Sequence, residues 1–432
     1  MFQTFSDVEA YLNSLVNYEH AFPLGGIRDR PKLQPVLNAI ERLGFNRALP
    51  NCVHIAGTVG KGSVAGYLEA VLSTAYQTLS FTSPHLISVK ERVKLNGREL
   101  DDEIWCDGFS SIVSRLRTDP VIALSYFESV FIFYIWVSRE LKCECHVVET
   151  GLGGRFDATN VLENSCAVLT RIDYDHTAIL GKTLTEITKD KCGIIKPGST
   201  VISAEQQEES IAVIERIAKE QNAHLIILNR EFFSETRLSD EFEYRDVNHT
   251  IKRLSIKPHS DFQRENAAIA LAAAFAVDPD LPRDSIRKAL TEYTPPARQQ
   301  LLPGMPPILL DTAHNPASFK VLAETLRERY NNRRIKAVIG MMKDKDARTS
   351  LEHLRGLVEG ILVVSTGNPR SYAPKELVEI AKEAGIAARA YRENQYAYLD
   401  LHENKLITLG LVTGSFYVAG DYLKWRTDAG IA

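Results

Sequence analysis

The chain has 432 residues, of which 44% are hydrophobic and 25% charged, and its formal net charge is −4. This is the usage of a globular protein of two or three domains, at roughly 150 residues each. It lacks the basic footprint of a nucleic-acid binder, and no apolar run approaches the ~20 residues of a membrane span.

The first 17 residues carry Asp7 and Glu9 but no lysine or arginine, unlike the basic opening of a signal peptide. Cys52, Cys106, Cys143, Cys145, Cys166 and Cys192 are scattered, with no CxxC pair and no zinc spacing. Reduced thiols in a cytoplasmic protein are the expectation.

Short apolar runs alternate with helical patterns along the chain. The strand Cys52–Ala56 leads through a glycine-rich turn into a helix over 63–75, then a strand over 78–82. Residues 92–100 hold Asn96-Gly97 between short alternating runs, a hairpin signal. A helix over 102–117 follows. The most apolar stretch, 121–137, is interrupted by Ser125, Glu128 and Ser129 and reads as a buried helix within 125–141. Strands over 145–149, 166–170, 200–203 and 224–228 alternate with helices over 183–191 and 206–220. This pattern predicts a mostly parallel sheet covered on both faces. Residues 242–257 read as an antiparallel pair, and 262–277 as an alanine-rich helix.

Pro295-Pro296 opens a proline-dense stretch ending at Pro307, the best linker candidate. The domain boundary is therefore placed near 297, giving 1–297 and 298–432. After it, strands over 307–311, 335–339, 360–365, 386–391 and 406–413 alternate with helices over 316–330, 347–355, 374–384, 395–402 and 415–426. The halves share a class but no sequence repeat.

The strand Cys52–Ala56 runs into Gly57-Thr58-Val59-Gly60-Lys61-Gly62-Ser63. Glycines let backbone amides approach an anion closely, and the following helix adds its N-terminal N–H groups and dipole. Lys61 suits terminal phosphates and Ser63 a metal ion. The common phosphate-loop pattern needs glycine five residues before Gly60 and finds Ile55, so a shorter form is at work.

Four later segments carry chemistry: Thr82-Ser83-Pro84-His85-Leu86; Glu149 running into Gly151, Gly153-Gly154-Arg155 and Asp157-Ala158-Thr159-Asn160; Asp173, Asp175 and His176; and Lys191 through Lys196-Pro197-Gly198. Glu149, Asp175 and His176 fall just past strand ends, where open α/β sheets bind ligands. Mg²⁺ prefers oxygen ligands, so Ser83 and Glu149 are candidates and His176 a less typical one. A lone histidine is more often a core or capping residue, and Gly153-Gly154 alone is a turn. Their joint placement at one sheet edge carries the functional reading.

These motifs, in this order, resemble the folylpolyglutamate synthase/dihydrofolate synthase family of the Mur ligase superfamily. The resemblance also takes in Asn266-Ala267-Ala268, Pro296-Ala297-Arg298, Asp311-Thr312-Ala313-His314-Asn315-Pro316, Asp344-Lys345-Asp346 and Thr413-Gly414-Ser415, and spans about residues 20 to 420. It implies that ATP phosphorylates a substrate carboxylate and that glutamate attacks the acyl phosphate. It implies Gly57, Thr58, Gly60, Lys61, Gly62 and Ser63 as the triphosphate cradle, Ser83 and Glu149 as ligands of one Mg²⁺, and His176 as a ligand of a second. Lys191 matches the lysine carbamylated in the family. Asn266 matches an adenine contact, Arg298 a phosphate contact, Asp311 and His314 groups reaching ribose and glutamate, and Ser415 a glutamate contact or a helix N-cap. Asp157 matches a pterin contact, and Arg28, in the segment 22–28, an anion contact.

Four departures stand out: Val59 for the usual Asn, Phe262 for His, Thr312 for Gly and Gly26 for Leu. Val59 acts through its backbone; Gly26 bears on the pterin side. The implied architecture is a phosphate-loop ATPase-like N-terminal domain and a smaller Rossmann-like C-terminal domain, with the active site in the cleft between them. The implied partners are a pterin or folate and L-glutamate, with no nucleic acid or membrane, on a monomer. The residues leave two alternatives open: a Mur-type ligase for a non-folate carboxylate, and a nucleotide-binding module without catalysis.

Overall fold

The computed structural model describes residues 1–18, 33–238 and 240–431. They divide into two units, Met1–Ile256 with Gln263–Tyr293, and Lys257–Phe262 with Thr294–Ala432.

The first unit runs α1 (Phe5–Asn13), α2 (Gln34–Leu43), β1 (Cys52–Ala56), α3 (Lys61–Leu72), β2 (Thr78–Phe81), β3 (Val93–Leu95), β4 (Arg98–Glu99), α4 (Asp102–Leu116), α5 (Tyr126–Glu140) and β5 (Cys145–Glu149). It continues through β6 (Cys166–Leu169), α6 (Thr177–Leu180), α7 (Leu184–Lys191), β7 (Thr200–Ser203), α8 (Glu208–Glu220) and β8 (His224–Ile227). Then come β9 (Phe233–Leu238), β10 (Glu241–Arg245), β11 (Thr250–Leu254), α9 (Asp261–Val277) and α10 (Arg283–Glu292).

Eight strands form one sheet in the order β4-β3-β2-β5-β1-β6-β7-β8. Six are parallel; the Asn96-Gly97 hairpin adds β3 and β4 antiparallel at one edge. Every residue of β1, β5 and β6 is buried, which is why these strands read as largely apolar runs, interrupted by His54, His146 and Glu149. Alternation decides the faces. Val53 and Ile55 pack with α3, α9, α10 and the small antiparallel sheet β11-β10-β9. Cys52, Leu79 and Phe81 pack with α1, α2, α4 and α5. Alanine at 267, 268, 270 and 272–274 lets α9 bury most of its surface.

The strand order sets the site. The chain passes from β1 to β2 on one side, beyond β5, and from β5 to β6 on the other side of β1. The C-terminal ends of β1, β5 and β6 therefore border a topological switch point, where such sheets bind ligands.

The second unit holds β12 (Gln300–Leu302), β13 (Ile308–Leu310), α11 (Pro316–Arg329), β14 (Ile335–Ile339), α12 (Ala347–Glu352), β15 (Gly360–Val363), α13 (Pro374–Glu383), β16 (Ala388–Ala390), α14 (Asn394–Glu403), β17 (Leu409–Thr413) and α15 (Phe416–Asp428). The sheet order is β12-β13-β17-β14-β15-β16, with only β12 antiparallel. Leu309, Phe319, Leu322, Ile335, Ile339 and Leu411 belong to its core.

Both α/β domains thus follow the expected class. The sequence pattern assigns no element to α1, α2, α6, β9, α10 or β12. Among the described residues the six cysteines are buried and unpaired, and no helix is long and apolar enough to cross a membrane.

Candidate functional site

The loop between β1 and α3 is held from below. Thr58 and Val59 N–H groups donate to the Arg171 carbonyl at 2.9 and 3.1 Å, and the Thr58 hydroxyl donates to the Asp173 carbonyl at 3.0 Å. Val59 thus acts through its backbone. The Gln206 amide clamps both sides of Arg171, donating to the Thr170 carbonyl and accepting from Ile172 N–H. A Cβ on Gly57 would lie 1.9 Å from Thr170 Oγ1, and Gly60 sits at φ +101°; both positions require glycine. No side chain caps α3, so its first N–H groups are presented to an anion. The Ser63 hydroxyl is buried and has no hydrogen-bond partner among the described residues. Such an orphan fits a site completed by a phosphate or a metal ion.

Around this loop the sheet edge gathers charge. Lys61 Nζ lies 3.9 Å from Glu149 Oε1. Ser83 N–H donates to Glu149 Oε2 at 3.2 Å, because β2 and β5 pair in parallel and end side by side. Lys191 is buried, and its Nζ donates to the Gly57 carbonyl at 2.7 Å. Burial, with Lys61 nearby, pulls its pKa down to about 7. His176 sits at φ +47°, its backbone N–H on Asp175 Oδ1 at 2.9 Å and its Nε2 3.8 Å from Oδ2. Among the described residues no three His, Cys, Asp or Glu side chains form a ready-made metal cage. The donor set present, a hydroxyl and a carboxylate beside a phosphate loop, suits Mg²⁺, which keeps waters and phosphate oxygens as ligands.

The glycine-rich loop after β5 packs on α7. A Cβ on Gly153 would meet Asp190 Oδ1 at 2.2 Å, and one on Gly154 the Lys191 carbonyl at 2.6 Å. Asp190 accepts from Gly154 N–H, and Lys196 Nζ donates to the Asn160 side chain and carbonyl. Asp157 is engaged within the same loop. Its Oδ2 accepts from Leu152 N–H at 2.8 Å, and its Oδ1 from Thr159 N–H at 3.0 Å and the Thr159 hydroxyl. Burial raises its pKa despite these bonds. His54, which the sequence reading does not select, and Lys196, which it places in a chemical segment without giving it a role, brace this loop. A histidine in an apolar strand carries no chemical signature by itself. Asn266 is buried on α9, with its Nδ2 on Gln263 Oε1 at 3.2 Å.

In the second unit, Asp311 follows β13. Its carboxylate accepts from Gln299 N–H at 2.9 Å and Ala313 N–H at 2.7 Å, while burial pushes its pKa up to about 6. His314 Nδ1 donates to the Thr312 carbonyl at 2.9 Å, since a carbonyl only accepts. The Phe416 ring lies 4.6 Å from the Arg298 guanidinium and 6.0 Å from the His314 ring. Ser415 is the N-cap of α15, accepting from Val418 N–H at 3.1 Å. Arg28 and the segment 22–28 lie outside the described residues.

Comparison with known proteins gives this geometry its context. The model of the Mur ligase glutamate ligase domain matches residues 297–415. The dihydrofolate synthase/folylpolyglutamate synthase of Escherichia coli (strain K12) is 32% identical over 349 residues, 80% of each chain. The chain belongs to the dihydrofolate synthase/folylpolyglutamate synthase family. It is an ATP-dependent ligase that joins glutamate to a dihydropteroate or folate acceptor. Solved members of the family agree in fold. A structure of E. coli FolC in complex with DHPP and ADP is 28% identical, with TM-score 0.88, covering 100% of this chain and 99% of that one. The Yersinia pestis bifunctional enzyme complexed with AMPPNP and Mn ion is 26% identical, with TM-score 0.86, covering 99% and 98%.

Proposed function

We propose that the ligase works by forming an acyl phosphate on its acceptor, with the roles divided as follows. The observation that carries this is the convergence of Lys61, Ser83, Glu149 and Lys191 around the β1–α3 loop. Gly57, Thr58, Gly60, Lys61, Gly62 and Ser63 hold the triphosphate. Asn266 meets the adenine and Arg298 a phosphate. Ser83 and Glu149 would hold one Mg²⁺, and His176 with carbamylated Lys191 a second. Bound Mg²⁺ neutralises phosphate charge and orients the acceptor carboxylate.

Lys191 suits carbamylation because its pKa near 7 leaves much of the amine neutral, the form that adds CO₂. The product replaces a cation with an anionic oxygen donor. Asp157 contacts the acceptor, and the family resemblance gives Arg28, outside the described residues, as a contact to an anionic substrate or a phosphate. Asp311, His314 and Ser415 serve the ribose and the incoming glutamate, the Nδ1–H tautomer of His314 leaving Nε2 the basic nitrogen. The functional boundary falls near 297, and the enzyme is a cytoplasmic monomer.

The test is phosphate release with Mg-ATP and glutamate, comparing dihydropteroate, tetrahydrofolate and no acceptor. Release that depends on either pterin supports the assignment and shows which acceptor is used. Release with neither, despite ATP binding, overturns it.

A further inference from the structure

We propose that His54 is a positioning residue, which through Thr159 holds Asp157 in register with the phosphate loop. This rests on the reading of Asp157 as an acceptor contact. His54 is fully buried in β1, three residues before Gly57. Its Nε2 lies 2.8 Å from Thr159 Oγ1, and the Thr159 hydroxyl also bonds Asp157 Oδ1. A carboxylate accepts, and a hydroxyl has one proton to give. Thr159 therefore donates to Asp157, and His54 must donate to Thr159 from Nε2.

That fixes a neutral ring with its proton on Nε2, consistent with burial pulling its pKa down to about 3. The other nitrogen, Nδ1, is buried with no hydrogen-bond partner among the described residues. A core filler would avoid this cost; a group retained for its Nε2 donor bears it.

The relay joins two loops with different cargo. β1 ends in the phosphate loop. Thr159 and Asp157 belong to the loop that follows β5. Asp190 and Lys196 brace that second loop elsewhere, so losing His54 displaces Thr159 and Asp157 rather than releasing the whole loop.

His54→Leu should raise the acceptor KM about tenfold, the scale of one hydrogen-bonded contact. The ADP Kd and the kcat at saturating acceptor should stay within about twofold. His54→Gln, whose amide offers a donor at similar reach, should recover most of the loss. Thr159→Val breaks the relay from the other side and should give the same phenotype, non-additively with His54→Leu; it also serves if His54→Leu does not fold.

An unchanged acceptor KM in both relay variants, or an equal rise in ADP Kd, overturns the proposal. Asp157→Ala separates the two levels. If it raises the acceptor KM while the relay variants do not, the relay is wrong and the reading of Asp157 stands. If it leaves the acceptor KM unchanged, that reading falls and the relay with it.

Discussion

Lys191→Met removes an amine that is 4% exposed and whose pKa is drawn from 10.5 to about 7. At pH 7 the native chain binds about half a proton there, and the unfolded chain nearly a whole one. The unfolded state binds more protons, so this site makes stability rise with pH between about 7 and 10.5. Below that window the cost is constant, and above it the cost vanishes. Linkage with these two values gives a penalty of about 4 kcal/mol at pH 7 and about 2 kcal/mol at pH 9. Methionine bears no such penalty. The wild type should therefore gain roughly 2 kcal/mol on Lys191→Met between pH 7 and pH 9. The lost bond to Gly57 is common to both conditions and cancels. Urea unfolding of nucleotide-free, metal-free protein in CO₂-depleted buffer at pH 7, 8 and 9 measures the difference. Adding bicarbonate at pH 7.5 should stabilise the wild type alone, since only it can convert the amine to a carbamate. A pH-independent difference between the two proteins would refute the claim that burial holds this amine near neutrality.

Lys61→Ala should lower kcat by roughly 10²–10³, the usual cost of removing one group aimed at developing charge; retained turnover removes the phosphate-loop assignment. Gly57→Ala forces a Cβ to within 1.9 Å of Thr170 Oγ1 and should cost about 1–3 kcal/mol. Thr170→Ala should restore part of that, and melting curves with and without ADP would read both effects. His314→Ala should slow glutamate addition more than acyl-phosphate formation, which isotope exchange in ATP separates from net turnover; equal damage to both steps contradicts the role. Phe416→Ala removes the ring under Arg298 and should cost about 0.5–2 kcal/mol of transition-state stabilisation, non-additively with Arg298→Ala in kcat/KM.

The phosphate loop was legible because its parts are contiguous: Gly57, Gly60, Lys61 and Ser63 act within one turn. The central strands of both large sheets were legible for a related reason, since burial on two faces leaves mostly apolar runs such as Cys52–Ala56 and Leu409–Thr413, whereas the short, half-exposed edge strand β12 was not. The small antiparallel sheet was legible only in part. β9, read as FSETRL, is too polar to stand out beside its neighbours. In α10 only Ile286, Ala289 and Leu290 are buried, and helix α1 rests largely on Val8 and Leu12. The remaining residues of such short surface helices satisfy solvent, and that weakens any periodicity.

Which strand ends meet is a property of sheet order, and order is written in no single stretch of sequence. Ser83 and Glu149 are 66 residues apart and become neighbours because β2 pairs with β5. Lys191 reaches Gly57 across 134 residues because Gly153 and Gly154 let the loop after β5 settle on the end of α7. The glycines in that loop are therefore as much a part of the site as its charged groups. A side chain at Gly154 would collide with the Lys191 backbone itself, at 2.6 Å, and backbone cannot swing aside as a flexible side chain can. The same reasoning explains why His54 escapes a motif search. Its importance lies in a single donor position 2.8 Å from Thr159, and nothing in the run CVHIA distinguishes that from a histidine that merely fills the core.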